Sequence, residues 1–267
     1  MHPTNCLNCA TLLTADDNYC PTCGQPTDTH RLTMHHIRHE VTHAFTHADK
    51  GVLFTIRELA MNPGLVAREY IQGKRKKHYN PFSLLVIIVG IYLLANSVFK
   101  PFSQNTFGAD QVPTTIQQSQ SKRAKFEKIV ERRKKVSEFM DHHTNIVLFI
   151  STPFLAFIFW LFYRKRYNYA EHLATFAYVN SFLSVLSIVI FGPLLYSLPG
   201  PQLKQVAYFS MLLVHLLYMA YMYYGLLGYN GGKGYLKACG VSLVALLSWA
   251  IFSGLVTFVY ILWGVVF

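Results

Sequence analysis

Four of the five cysteines fall as Cys6-x-x-Cys9 and Cys20-x-x-Cys23. Each knuckle supplies two thiolates from one tight turn, and two knuckles give the four soft ligands of a tetrahedral zinc site. Gly24 follows the second knuckle and can take the positive φ such a turn often needs. Residues 11–19 read as a short hairpin: Thr11-Leu12-Leu13, a turn at Asp16-Asp17-Asn18, then Tyr19. The pattern predicts a zinc ribbon over residues 1–28. Two local disulfides or an iron site are the competing readings, and ligand softness with a reducing compartment favours zinc. With all four coordination positions filled, the metal contributes folding energy in place of a core rather than chemistry. The fifth cysteine, Cys239, reads as a small buried residue.

A second group is a run of histidines. His35, His39, His43 and His47 recur at i, i+4 spacing, with His36 and Glu40 beside them. They line one face of a helix predicted over 35–59, with a break near Gly51, while Ile37, Val41, Ala44, Phe45 and Ala48 line the other. Histidines one turn apart can share a second metal ion. His39-Glu40-Val41-Thr42-His43 also matches H-E-x-x-H, in which two histidines hold zinc and Glu40 would activate water. His47, Glu171 or His172 would have to complete that site. A histidine-rich run produces this pattern easily, so a polar face meeting water, headgroups or the ribbon stands beside both metal readings.

The elements that must carry these groups are set by composition. Hydrophobic residues make up 52% of the 267 and charged residues 14%, against roughly 25% charged in a soluble domain. That excludes a disordered chain and argues against an ordinary cytosolic enzyme. Residues 82–99, 145–163, 173–203, 205–232 and 238–267 contain no Lys, Arg, Asp or Glu. Each run is near or above the roughly 20 residues a helix needs to cross a bilayer. The long third run is divided by Pro193, Pro199, Gly200 and Pro201 into a helix and a tight turn. The expected fold class is an all-α integral membrane protein with five transmembrane helices, a small N-terminal zinc ribbon and amphipathic surface helices. Its expected parts are the ribbon at 1–28, amphipathic and His-rich helices with a basic hinge at 29–81, and a membrane domain at 82–267 carrying a basic amphipathic loop at 100–144.

In the hinge, Asn62 reads as an N-cap with Pro63 at the first helical position and Gly73 as the stop. The short helix between places Leu65, Val66, Tyr70 and Ile71 against Arg68 and Glu69, which suits a helix lying flat on the inner leaflet. Lys74, Arg75, Lys76 and Lys77 would then meet anionic lipid headgroups. Nucleic acid is a less favoured partner: residues 1–28 hold no Lys or Arg and carry Asp16, Asp17 and Asp28, whereas phosphate contact needs cations. Beyond the first span, residues 118–142 carry Phe126, Ile129, Val130, Val136, Phe139 and Met140 on one stripe, a helix that could rest on the outer leaflet or self-associate.

Polar groups within the spans are Asn145, Asn180 and His215, with Glu171 and His172 at the start of the third. A lone intramembrane histidine without an acidic partner reads as an interhelical hydrogen bond. Tyr218, Tyr221, Tyr223 and Tyr224 fit an interfacial aromatic belt. The cationic groups at 74–77, 164–166 and at Lys233 and Lys237 fall on one side if the N-terminus is cytoplasmic, although the 100–144 loop places nine Lys plus Arg opposite them. The reducing environment that four thiols favour decides for N-inside and C-outside. The first residues lack the basic, apolar, small-residue order of a signal peptide, so the first span is expected to be the insertion signal.

The chain resembles an uncharacterised bacterial membrane family, known mainly from Bacteroidota-type genomes, with a domain of unknown function. The residues that carry the resemblance are the four head cysteines with Gly24-Gln25, His47-Ala48-Asp49-Lys50-Gly51, Thr55, Leu59 and Pro63-Gly64. Arg68-Glu69-Tyr70, Gly73-Lys74-Arg75, Asn80-Pro81 and Tyr169-Ala170-Glu171-His172 continue it. It implies an inner-membrane protein with a zinc-ribbon head and no established activity. Three functions follow as expectations. The first is a cytoplasmic head that docks a protein partner or the lipid surface. The second is a homo-oligomeric transporter or channel, and the third a membrane-surface metallohydrolase.

Overall fold

The computed structural model describes residues 5–29, 31–35, 37, 51–101 and 120–266. Its helices are α1 (Gly51–Met61), α2 (Pro63–Ile71), α3 (Pro81–Phe99), α4 (Gln120–Tyr163), α5 (Tyr169–Leu186), α6 (Gly192–Ser197), α7 (Pro201–Leu227) and α8 (Gly231–Val266). A π-helical turn, Ser187–Phe191, joins α5 to α6. Among the described residues five stretches are long and apolar enough to cross a membrane: α3, α4, α5 through α6, α7 and α8. The protein is an all-α, multi-pass membrane protein with a small cysteine head.

Local chemistry sets the helix ends. Asn80 caps α3, its Oδ1 accepting from the Phe82 and Ser83 amides, and Pro81 supplies a helical φ at the first position. Asn168 and Glu171 form a reciprocal capping box at the start of α5. Pro193 does not end the third span. The helix slips into π register just before it and continues to Ser197, which accommodates a residue with no N–H to donate.

Within the bundle α5 is the central rod. Of its most apolar window 67% is buried, against 6% for α8. Buried Ala170, Ala174, Ala177, Ser181 and Ser184 let α3 and α4 approach it closely. Interhelical hydrogen bonds join Asn180 to Thr152 at 2.7 Å and Asn96 to Thr144 at 2.9 Å. His215 instead bonds the Met211 carbonyl of its own helix at 2.8 Å. The helix expected over 118–142 is continuous with the second span, and α4 breaks regular geometry at His143 (φ −125°, ψ 27°).

Two sequence expectations are corrected at the end of the bundle where α3 begins and α4 ends. The first concerns α2, expected flat on lipid. Pro63, Gly64, Val66, Ala67, Glu69 and Tyr70 are all buried, and the helix packs against α7. A Cβ on Gly64 would lie 2.5 Å from the Gly225 backbone, so the two helices touch backbone to backbone. Arg68 Nη2 donates to the Gly225 carbonyl from the side expected to face water.

The second concerns the tyrosines expected to form a belt. Tyr218 donates to the Leu59 carbonyl at 3.0 Å and Tyr221 to the Met61 carbonyl at 2.8 Å. They satisfy carbonyls that the end of α1 leaves open. Tyr223 is fully buried, 2.8 Å from His172 Nδ1. The part of the predicted 35–59 helix that is described beyond Ile37 is α1. His36 and residues 38–50, with Glu40, His39, His43 and His47, lie outside the described residues, so of the expected second metal group only His35 falls within them.

Candidate metal centre

The head is built from two near-repeats. In the first, the Cys6 amide donates to the Thr11 carbonyl and the Ala10 amide to the Cys6 carbonyl, at 2.8 and 2.9 Å. In the second, Cys20 donates to Gln25 and Gly24 to Cys20, both at 2.8 Å. Each turn is closed by one antiparallel bridge, Asn5 with Leu12 and Tyr19 with Pro26. The pairing thus runs across each knuckle rather than across the hairpin expected between them. The turn between the repeats does form, and the Asp17 carboxylate accepts from the Thr14 amide at 2.8 Å. Gly24 takes φ +69° and its counterpart Ala10 takes φ +62°.

This arrangement brings the four sulfurs together. They all lie within 4.8 Å of one another, with Cys6–Cys23 at 3.6 Å and Cys9–Cys20 at 3.5 Å. Four sulfurs about 2.3 Å from a central ion would be spaced close to these distances, so the residues fit a single tetrahedral metal ion. Burial pushes the Cys6 thiol up to about 11. The Thr11 hydroxyl, 3.1 Å from the Cys9 sulfur, pulls the exposed Cys9 down to about 6. Among the described residues, only Leu13 joins the cysteines in the head's apolar cluster. So small a core cannot hold the head by itself, which is the physical case for a metal.

Gln25 seats this centre. Its side chain is buried, donating through Nε2 to the Gly73 carbonyl at 2.8 Å and accepting through Oε1 from the Lys76 amide at 2.9 Å. Both partners belong to the basic turn 73–77. That turn is anchored in its own right, because Glu69 lies buried beneath it with Lys77 Nζ at 2.7 Å, Lys74 Nζ at 3.0 Å and His78 Nε2 at 2.7 Å. Burial alone would raise the Glu69 carboxyl, but hydrogen bonds from Lys77, His78 and Lys74 outweigh it and hold it down at about 2. Burial pushes His78 below its ordinary value despite Glu69, and its Nε2 donates to the carboxylate, which can only accept. Of the four residues assigned to headgroups, Lys74 and Lys77 pair with Glu69, Lys77 remaining exposed as Lys76 is.

A second tie follows the head. Arg31 Nε and Nη2 donate to the two oxygens of Glu171 at 2.6 and 2.9 Å, and Asn168 Nδ2 donates to the Leu32 carbonyl at 2.9 Å. Leu32 and Ile37 sink into the main core. Glu171 thus caps α5 and holds Arg31 with one carboxylate, and His172 beneath it is fully buried. Glu171 and His172 stand together at the start of α5, whereas Asn180 lies farther along α5 and His215 in α7. Sequence reasoning missed Gln25 and Arg31 as ties. The N-x-x-E spacing of Asn168 and Glu171 was a readable capping signal, but nothing local marks the two long-range partners.

Fold and site together define a multi-pass membrane protein whose four-cysteine head is fixed to one end of its helix bundle. The family model described as a protein of unknown function (DUF3667) matches residues 49–93. That stretch holds α1, α2, the basic turn with Glu69 and His78, and the first part of α3; the cysteine head and Tyr169 to His172 lie outside it. No curated protein and no solved structure matches the chain.

Proposed function

We propose that this is a non-catalytic protein of the bacterial inner membrane whose zinc-stapled head docks a protein partner at the cytoplasmic surface. The observation that carries the reading is the Gln25 tie. A four-cysteine centre with no open coordination position is fastened to the basic turn, while Leu12 and Tyr19, one in each knuckle's bridge, stand 78% and 65% exposed. Zinc is the metal that four thiolates in a reducing compartment select. In this reading Lys76 and its neighbours rest among anionic headgroups, the N-terminus is cytoplasmic and the C-terminus periplasmic. The transporter alternative has less support, since Asn180 and His215, polar groups within the spans, make hydrogen bonds inside the bundle. The test is in-cell cross-linking of the tagged protein followed by mass spectrometry, for wild type, Cys20→Ser and Leu12→Asp/Tyr19→Asp. Partners captured by wild type and lost in both variants support docking through the head. The same partners in all three contradict it.

A further inference from the structure

The end of the bundle opposite the head carries a second surface, formed by the first half of α4. Phe154 of α4 packs on Trp249 and Phe252 of α8, with ring centroids 5.5 and 5.2 Å apart. Further along, Arg132 Nη1 donates to the Tyr260 carbonyl at 2.7 Å, and its guanidinium lies 5.2 Å from the Tyr260 ring centre. Straight helices could not make both contacts. From Phe154 to Arg132 a regular helix climbs about 33 Å, and from Phe252 to Tyr260 only about 12 Å. The difference of about 20 Å is more than an arginine side chain spans, so the bend at His143 must fold the helix over toward α8.

The level at which it folds is fixed by α8. From Ala238, where the uncharged run begins, to Tyr260 is about 33 Å of helix, close to the roughly 30 Å of a hydrocarbon core. The folded segment therefore passes α8 at the membrane interface. Its Phe126, Ile129, Val130 and Val136 are half-buried. Arg123 and Lys135 pair with Glu127 and Glu131 at 2.9 and 2.7 Å, while Lys125, Lys128, Arg133 and Lys134 are exposed. A half-buried apolar stripe with exposed cations, held at headgroup depth, matches a negatively charged lipid surface.

We propose that residues 120–142 form an interfacial arm that binds anionic phospholipid on the side of the membrane opposite the head. The test uses the full-length protein in nanodiscs of equal phosphatidylglycerol and phosphatidylcholine, with the lipids retained on release counted by native mass spectrometry. Wild type is expected to retain phosphatidylglycerol with a preference at least tenfold above that of K125Q/K128Q/R133Q/K134Q. Lys165→Gln, at the head end, should keep the wild-type preference. E127Q/E131Q, which frees Arg123 and Lys135, should raise it. Equal preference in wild type and the fourfold variant overturns the proposal, as does a loss produced by Lys165→Gln. A wild-type dimer that the fourfold variant dissolves, without any lipid preference, would overturn it too and assign the surface to a second copy of the chain.

Discussion

Glu69 holds Lys74, Lys77 and His78 around one buried carboxylate, and its energetics are set by what would happen without it. A glutamine in its place keeps one acceptor oxygen but loses the charge and the second oxygen; half-exposed lysines recover water, but buried His78 does not. Glu69→Gln should lower stability by about 2 kcal/mol, measured by denaturant or thermal unfolding in detergent. The pH dependence follows from the same group. A carboxyl held at about 2, against an ordinary 4.5, stabilises fully above pH 4.5 and loses that contribution as the pH falls toward 2. His78, held below its ordinary 6.5, acts in the same direction from pH 6.5 downward. Wild type should therefore lose stability progressively on acidification, and Glu69→Gln should show a shallower loss below pH 4.5.

The knuckles offer a second residue-scale test. An alanine at Gly24 would meet only Lys76 Cε at 3.8 Å, so its cost is the left-handed backbone alone, about 1 kcal/mol. Gly24→Ala should weaken metal retention in a chelator competition by roughly fivefold to tenfold. Ala10→Gly should not weaken it.

Among the elements, α2 shows where the sequence stops being informative. Nine residues with one apolar and one polar face suit a lipid surface or a protein groove equally, because both are apolar on one side. What decides is Gly64 meeting Gly225, a contact between positions 161 apart that no local pattern announces. Glu69 misleads for the same reason: it reads as the wet side of a helix and is buried by partners from the following turn. The spans were legible because an uncharged run of span length has few alternatives, and the head because paired C-x-x-C knuckles have few. The pairing inside the head was not, since Leu12 can bridge either to Tyr19 or back to Asn5, and residue types alone do not choose. Gly64→Leu should separate α2 from α7 and cost about 3 kcal/mol, as overpacking does at its upper range. Tyr218→Phe, which strips only the hydroxyl from the Leu59 carbonyl, should cost about 1 kcal/mol. Thermal unfolding of the two variants in the same detergent checks the ranking.

At the scale of the molecule, one end gathers the ribbon, the family-matched α1–α2 hairpin, Arg31 on Glu171, and Gln25 on the basic turn. A single closed metal centre would staple that assembly, so metal content tests the account most directly. Protein purified in detergent should contain one zinc per chain, and X-ray absorption at the zinc edge should show four sulfur ligands at about 2.3 Å. Cys20→Ser should lose the ion and His39→Ala should keep it. Zinc absent from the wild type, zinc retained by Cys20→Ser, or nitrogen ligands supplied by the histidine run would contradict the account.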